Sequence, residues 1–141
     1  MSTNSQIADS VPPESLQAIT LSASLTVNDI RKSMAWYRDV LGFKVDQEFE
    51  RDGALVAVVL RAGATGIVID QDNGAKGFDR VKGQGFSLQF TTAQNVDELA
   101  KRIKAYGGII ESEPADMHWG ARIFRIKDPD GFTLVISSER H

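Results

Sequence analysis

The sequence predicts an α+β domain of two βαβββ modules, whose strands form a curved, cupped mixed sheet with the helices on its outer face. Three observations predict it. Segments with the period of a half-buried strand stand at Leu21 to Val27 and again at Ser87 to Thr92. Each is followed by one amphipathic helix and then by three further strand-like runs. A Gly-rich, polar stretch from Asp72 to Gly85 separates the two halves, as expected of a duplicated unit. The expected organisation is a polar tail over 1–17 and one domain over 18–141, with module one at 18–71, a linker at 72–85 and module two at 86–139.

In the first strand Leu21, Ala23, Leu25 and Val27 share the apolar face, opposite Ser22, Ser24 and Thr26. Asn28 or Asp29 then supplies an N-cap, and Ile30, Met34, Tyr37 and Leu41 recur at helical spacing up to Gly42, placed for a left-handed C-terminal cap. Strands are expected at Phe43 to Arg51, Leu55 to Arg61 and Gly66 to Asp70, turned at Asp52-Gly53 and at Gly63. In the second half Asn95 and Glu98 form a capping box before the stripe Val96, Leu99, Ala100 and Ile103, which ends at Gly107-Gly108. Ile109 to Ser112, Ala121 to Ile126 and Phe132 to Ser137 complete the strands, with the turn Asp128-Pro129-Asp130-Gly131 between the last two.

Composition narrows the function classes. The chain has 141 residues, no Cys and only 2 His, which excludes disulfide scaffolds, thiolate metal centres and a multi-His centre built from one chain. One of the two imidazoles is the last residue, His141. With 16 Lys+Arg against 19 Asp+Glu and no basic run, a nucleic-acid footprint is not expected. The opening residues lack the basic start and apolar run of a secretion signal, and no stretch reaches the ~18 apolar residues of a membrane helix. A soluble, cytoplasmic protein without membrane association is the expectation. In each half a helix can cover only one face of its sheet, so the face carrying Ser, Thr and Gln is expected to line a half-polar trough for a small molecule.

The segments Leu25-Thr26-Val27-Asn28-Asp29, Ser33 with Trp36 to Phe43, Trp119-Gly120-Ala121-Arg122 and Asp128-Pro129-Asp130-Gly131 together resemble the vicinal oxygen chelate superfamily. This is the glyoxalase/bleomycin-resistance/dioxygenase group, and the resemblance covers Leu21 to Ser138. It implies paired βαβββ modules in a cupped, barrel-like sheet, and dimers in which each trough is completed by modules from one chain or from two. Metal-dependent members hold their ion from the inner faces of the first and last strands of each module. Carried over, those positions fall on Ser22, on Ile69 with Asp70 one residue off, on Ser87 or Phe86, and on Val135. Ser hydroxyls and aliphatic side chains are poor donors for a divalent ion, and strand parity is expected to turn Asp70 to the other face. No metal site and no cofactor are therefore expected.

What remains resembles the metal-free, bleomycin-resistance-like branch, whose members sequester planar, often cationic compounds between aromatic side chains. The resemblance implies antibiotic-resistance-like binding of a planar aromatic ligand by a homodimer. The expected aromatic wall is Phe49, Phe86, Trp119 and Phe124, with Ser22, Ser24, Ser87 and Gln89 as the polar floor. Arg122 either meets a ligand anion or pairs with Asp128 or Glu113. No nucleophile is expected, because no motif places a base beside Ser22 or Ser24. His118 is the single candidate acid or base for a metal-free enzyme. The alternative function is a lyase, isomerase or dioxygenase of the glyoxalase type with atypical metal ligands. Asp72 to Gly85 is expected to act as a flexible flap over the trough.

Overall fold

The computed structural model describes residues 15–140. Most of the expected tail, and His141, lie outside that range. The elements run β1 (Ala23–Val27), α1 (Ile30–Asp39), β2 (Lys44–Arg51), β3 (Ala54–Ala62), β4 (Thr65–Gln71), β5 (Ser87–Thr92), α2 (Val96–Ala105), β6 (Ile110–Asp116), β7 (Arg122–Lys127) and β8 (Thr133–Ser138). They form two four-stranded sheets, ordered β1-β4-β3-β2 and β5-β8-β7-β6. In each sheet the first strand pairs parallel to the last and the other pairs are antiparallel. This is the βαβββ unit used twice.

Local chemistry explains most boundaries. Asp29 accepts from the Lys32 amide at 3.2 Å and Asn95 from the Glu98 amide at 3.0 Å, so both helices start on a side-chain cap. Gly42 takes a φ of +79° and lets the Phe43 amide return to the Tyr37 carbonyl at 2.9 Å, closing α1. Asp52 and Gly53 both have positive φ, which fits the twist of the β2–β3 hairpin.

Three differences from the sequence expectation have physical causes. Leu21 is 97% exposed, because the β1 ladder starts only at Ala23, opposite Ile67. The strand expected to stop at Ser112 runs on through Pro114 to Asp116, because β6 is an edge strand. A register shift between Ser112 and Ala115 absorbs the proline there. The buried stripe of α1 is Ile30, Ser33 and Tyr37, since the Ser33 hydroxyl reaches Asp130 at 3.3 Å and can enter the interior satisfied.

Leu25, Val27, Val58, Leu60, Ile67 and Ile69 of the first sheet meet Phe124, Ile126, Leu134 and Ile136 of the second in one core, roofed by α1 and α2. The helix-covered faces of both modules thus contribute to one core. The linker does not hang free as a flap. The buried Asp72 carboxylate takes Lys82 at 2.8 Å, Arg80 at 3.1 Å and the Gly74 amide at 2.8 Å, and Lys82 also donates to Asn28.

Candidate functional site

Each sheet has a second face, turned away from the shared core. In the first sheet the register sets Thr26, Asp70, Ala57 and Phe49 in one row across the strands, with Ser24, Val68, Val59 and Gln47 in the next. The Ser24 hydroxyl donates to Asp70. Phe49 is 47% exposed at the end of its row. The result is a shallow surface with one carboxylate, two hydroxyls and an aromatic ring.

Asp70 corrects the parity expected from sequence. The register places Ile69 on the helix-covered face, where it is fully buried, and Asp70 on the polar face with Ser24. The signal was present in Gly66-Ile67-Val68-Ile69-Asp70, because Ile67 and Ile69 claim one face and leave the other to Val68 and Asp70.

In the second sheet Ser87, Gln89 and Thr91 line the exposed edge strand, and Val135 stands beside Gln89 and Arg125. Val135 packs with Ala121, Ile123 and Met117 in a small apolar cluster on this face. Beside it, Met117 and Ala121 close a tight hairpin through a 2.7 Å backbone bond, and His118 and Trp119 stand at its tip. Their rings meet edge to face at 4.9 Å, with Trp119 41% exposed. His118 has no hydrogen-bonded side-chain partner among the described residues, so nothing orients it as an acid or base.

The remaining expected residues divide. Ser22 is exposed and precedes β1. Phe86 is half exposed and leans edge-on against Phe132, at the opposite end of β5 from the helix α2 that follows it. Phe124 is corrected outright: it is fully buried, because alternation in β7 points it, with Ile126, into the core while Ile123 faces the other way. It forms no wall on the polar face. Arg122 pairs neither with Asp128 nor with Glu113. Its guanidinium forks onto Asp97 at 2.9 and 3.0 Å and reaches Asp116 at 3.2 Å, which raises its own pKa and holds the Asp97 carboxyl below its ordinary value. These residues border a 450 Å³ cavity between the N-terminus of α2 and the β6–β7 hairpin. With two carboxylates on it, Arg122 offers that cavity no spare positive charge.

Asp128 is taken by Tyr37, whose hydroxyl donates to it at 2.8 Å inside the protein. Burial raises the pKa of both groups, and their mutual contact pushes the Tyr37 hydroxyl up further. Among the described residues no three His, Cys, Asp or Glu side chains converge. Asp70, tied to a serine hydroxyl, is an isolated carboxylate, and this donor set in one chain does not fit a divalent ion.

With this geometry in hand, comparisons with known proteins give consistent matches. A family model described as the Glyoxalase/Bleomycin resistance protein/Dioxygenase superfamily matches residues 18–136. Lactoylglutathione lyase of Salmonella typhimurium is 26% identical over 122 residues, spanning 82% of this chain and 89% of that protein. The uncharacterized protein YraH of Bacillus subtilis is 30% identical over 119 residues, spanning 78% of this chain and 90% of its own length. A solved member of the same superfamily from Sphaerobacter thermophilus superposes with a TM-score of 0.70 at 23% identity, covering 87% of this chain and 98% of the other. At that identity the likeness is one of fold.

Proposed function

The chain belongs to the Glyoxalase/Bleomycin resistance protein/Dioxygenase superfamily, and on that premise we propose that it binds a small molecule without a metal ion, in a cleft between paired modules. The observation that carries this reading is the composition of the polar faces. They present Ser24, Thr26, Asp70 and Phe49 on one sheet and Ser87, Gln89 and Thr91 on the other, which can orient a ligand but do not assemble a set of metal donors. Asp70 suits a ligand cation, and Phe49 and Trp119 suit stacking against a planar ring.

The helix-covered faces of the two modules meet in one core, so the polar faces look outward from it. The 450 Å³ cavity beside Arg122 is bordered by neither Asp70 nor Ser87. This favours a homodimer in which the polar face of module one meets that of module two from the partner.

A panel of planar heteroaromatic cations, read by tryptophan fluorescence, tests the proposal. Quenching is expected, weakened in Asp70→Asn and abolished in Trp119→Phe, with Trp36 as the remaining reporter. The identity to lactoylglutathione lyase favours one rival reading, a metal-dependent lyase. Turnover of lactoylglutathione on addition of a divalent metal would establish that rival and overturn metal-free binding.

A further inference from the structure

A second cavity lies on the seam between the modules. It is half open to solvent and has a volume of about 810 Å³, within the range of ~300–1,000 Å³ that accommodates small molecules. The walls come from the helix-covered faces of both sheets. Ala23 and Ile67 stand on one side, Leu88 and Phe90 on the other, and Leu99 and Ile103 of α2 close it. Ser24 and Asp70 lie on the opposite face of their sheet, while Gln89 and Thr91 border both this cavity and the polar face of the second sheet, so the two sites adjoin along β5 and differ at the first sheet.

An apolar cavity alone selects ligands only by size. Arg102 adds the chemistry. It borders the same cavity, its Nη1 donates to the Val40 carbonyl at 2.9 Å, and its guanidinium lies 4.7 Å from the centre of the Tyr106 ring. It rests against Gly42, where an added Cβ would stand 3.2 Å from Nη2. A guanidinium has five N–H donors, and the Val40 bond uses one. Among the described residues no carboxylate pairs with Arg102, unlike Arg122, which holds two.

We propose that this cavity binds an organic monocarboxylate with an apolar chain or ring, its body between the two sheets and its carboxylate forked onto Arg102. The donor geometry suits a planar carboxylate, and the adjoining apolar walls reward a hydrocarbon body over a small inorganic anion.

Calorimetric titration of the full chain with decanoate and with decanol tests this. Saturable binding of decanoate, one per chain and tighter than decanol, is expected. Arg102→Gln should lower decanoate affinity about ten- to hundred-fold, to the level of decanol, with Arg102→Lys between the two. Circular dichroism should stay unchanged in both, and the thermal midpoint should fall only by the few degrees that loss of the Val40 bond accounts for. Ala23→Phe, which fills one wall, should abolish both ligands, and Leu99→Trp serves if the first variant does not fold. Asp70→Asn should leave decanoate binding intact. Absence of decanoate binding by the unaltered chain, or equal affinity in Arg102→Gln, overturns the proposal.

Discussion

The two helices occupy equivalent places in their modules and are seated very differently. Tyr37 on α1 and Ile103 on α2 each stand eight residues after the N-cap, Asp29 and Asn95 respectively. Tyr37 is fully buried and bonded to Asp128 in the β7–β8 turn of the other module. Around it Asp130 takes the Asn28 amide at 2.8 Å and the Ser33 hydroxyl, and Lys82 of the linker adds its bonds to Asn28 and Asp72. Ile103 instead borders the cavity that extends to the β3–β4 turn at Ala62 to Thr65. Duplication supplies two similar seams, and the side chains have filled one with a satisfied polar network and left room in the other. A duplicated fold can hold its shape at one seam and keep the other for a ligand.

Substitutions at the two positions should separate those roles. Tyr37→Ala empties a full-size aromatic site and strands the Asp128 carboxylate, and should cost about 3–5 kcal/mol in urea unfolding. Ile103→Ala should cost about 2 kcal/mol, the lower end for its type, because its neighbours already face open space. An equal loss at both positions would dissolve the contrast. Tyr37→Phe, which removes only the buried hydroxyl, should cost about 1–2 kcal/mol and lose most of its effect when Asp128 is already Ala, which has no acceptor for it.

Acid titration sharpens the same comparison. Hydrogen bonds from Lys82 and the Gly74 amide hold the Asp72 carboxyl well below its ordinary value of 3.8. Its contribution is therefore present above that value and is lost as pH falls toward the lower folded-state pKa. Burial moves Asp128 the other way, so its contribution is present at low pH and declines as pH rises through the raised pKa. Asp72→Asn should flatten the acid limb of a stability profile, and Asp128→Asn should relieve the loss on the rising side. The smallest effect is expected at Trp119, where substitution by Ala should change stability by no more than about 0.5 kcal/mol while removing ligand-induced quenching.

Much of the fold was legible in the sequence because capping, turn and periodicity signals agree locally. The Asn95 cap on the Glu98 amide, Asp52-Gly53 and the alternation of Ser87 to Thr92 each reappear in the structure where the residues place them, although the Glu98 carboxylate meets Lys101 instead of closing the capping box. The site was less legible, because its meaning depends on which face of which strand meets what. Phe124 reads as an exposed aromatic beside Arg122 until β7 is paired with β8, and only the pairing turns it inward. Asp70 reads as a strand-end charge until Ile67 and Ile69 are seen to fill the core. Arg102 lies on a helix whose stripe is apolar, and its approach to Val40 crosses between modules, which no local pattern encodes. The partners of Arg122 were equally out of reach, since Asp97 lies 25 positions away on α2.

Among the described residues four strand edges are open, and they differ in a way that governs behaviour in concentrated solution. β2 carries Lys44, Asp46, Glu48, Glu50 and Arg51 and two register shifts, and β6 carries Glu111, Glu113, Pro114 and Asp116 and two shifts of its own. An incoming strand meets charge and broken spacing on both, and on β6 a missing amide donor at Pro114 as well, so fibre-like growth from these edges is discouraged. β1 and β5 have no charged residue from Ala23 to Val27 or from Ser87 to Thr92. Their backbones remain compatible with joining another strand, so edge pairing between copies of this protein is favoured at β1 and β5 over β2 and β6.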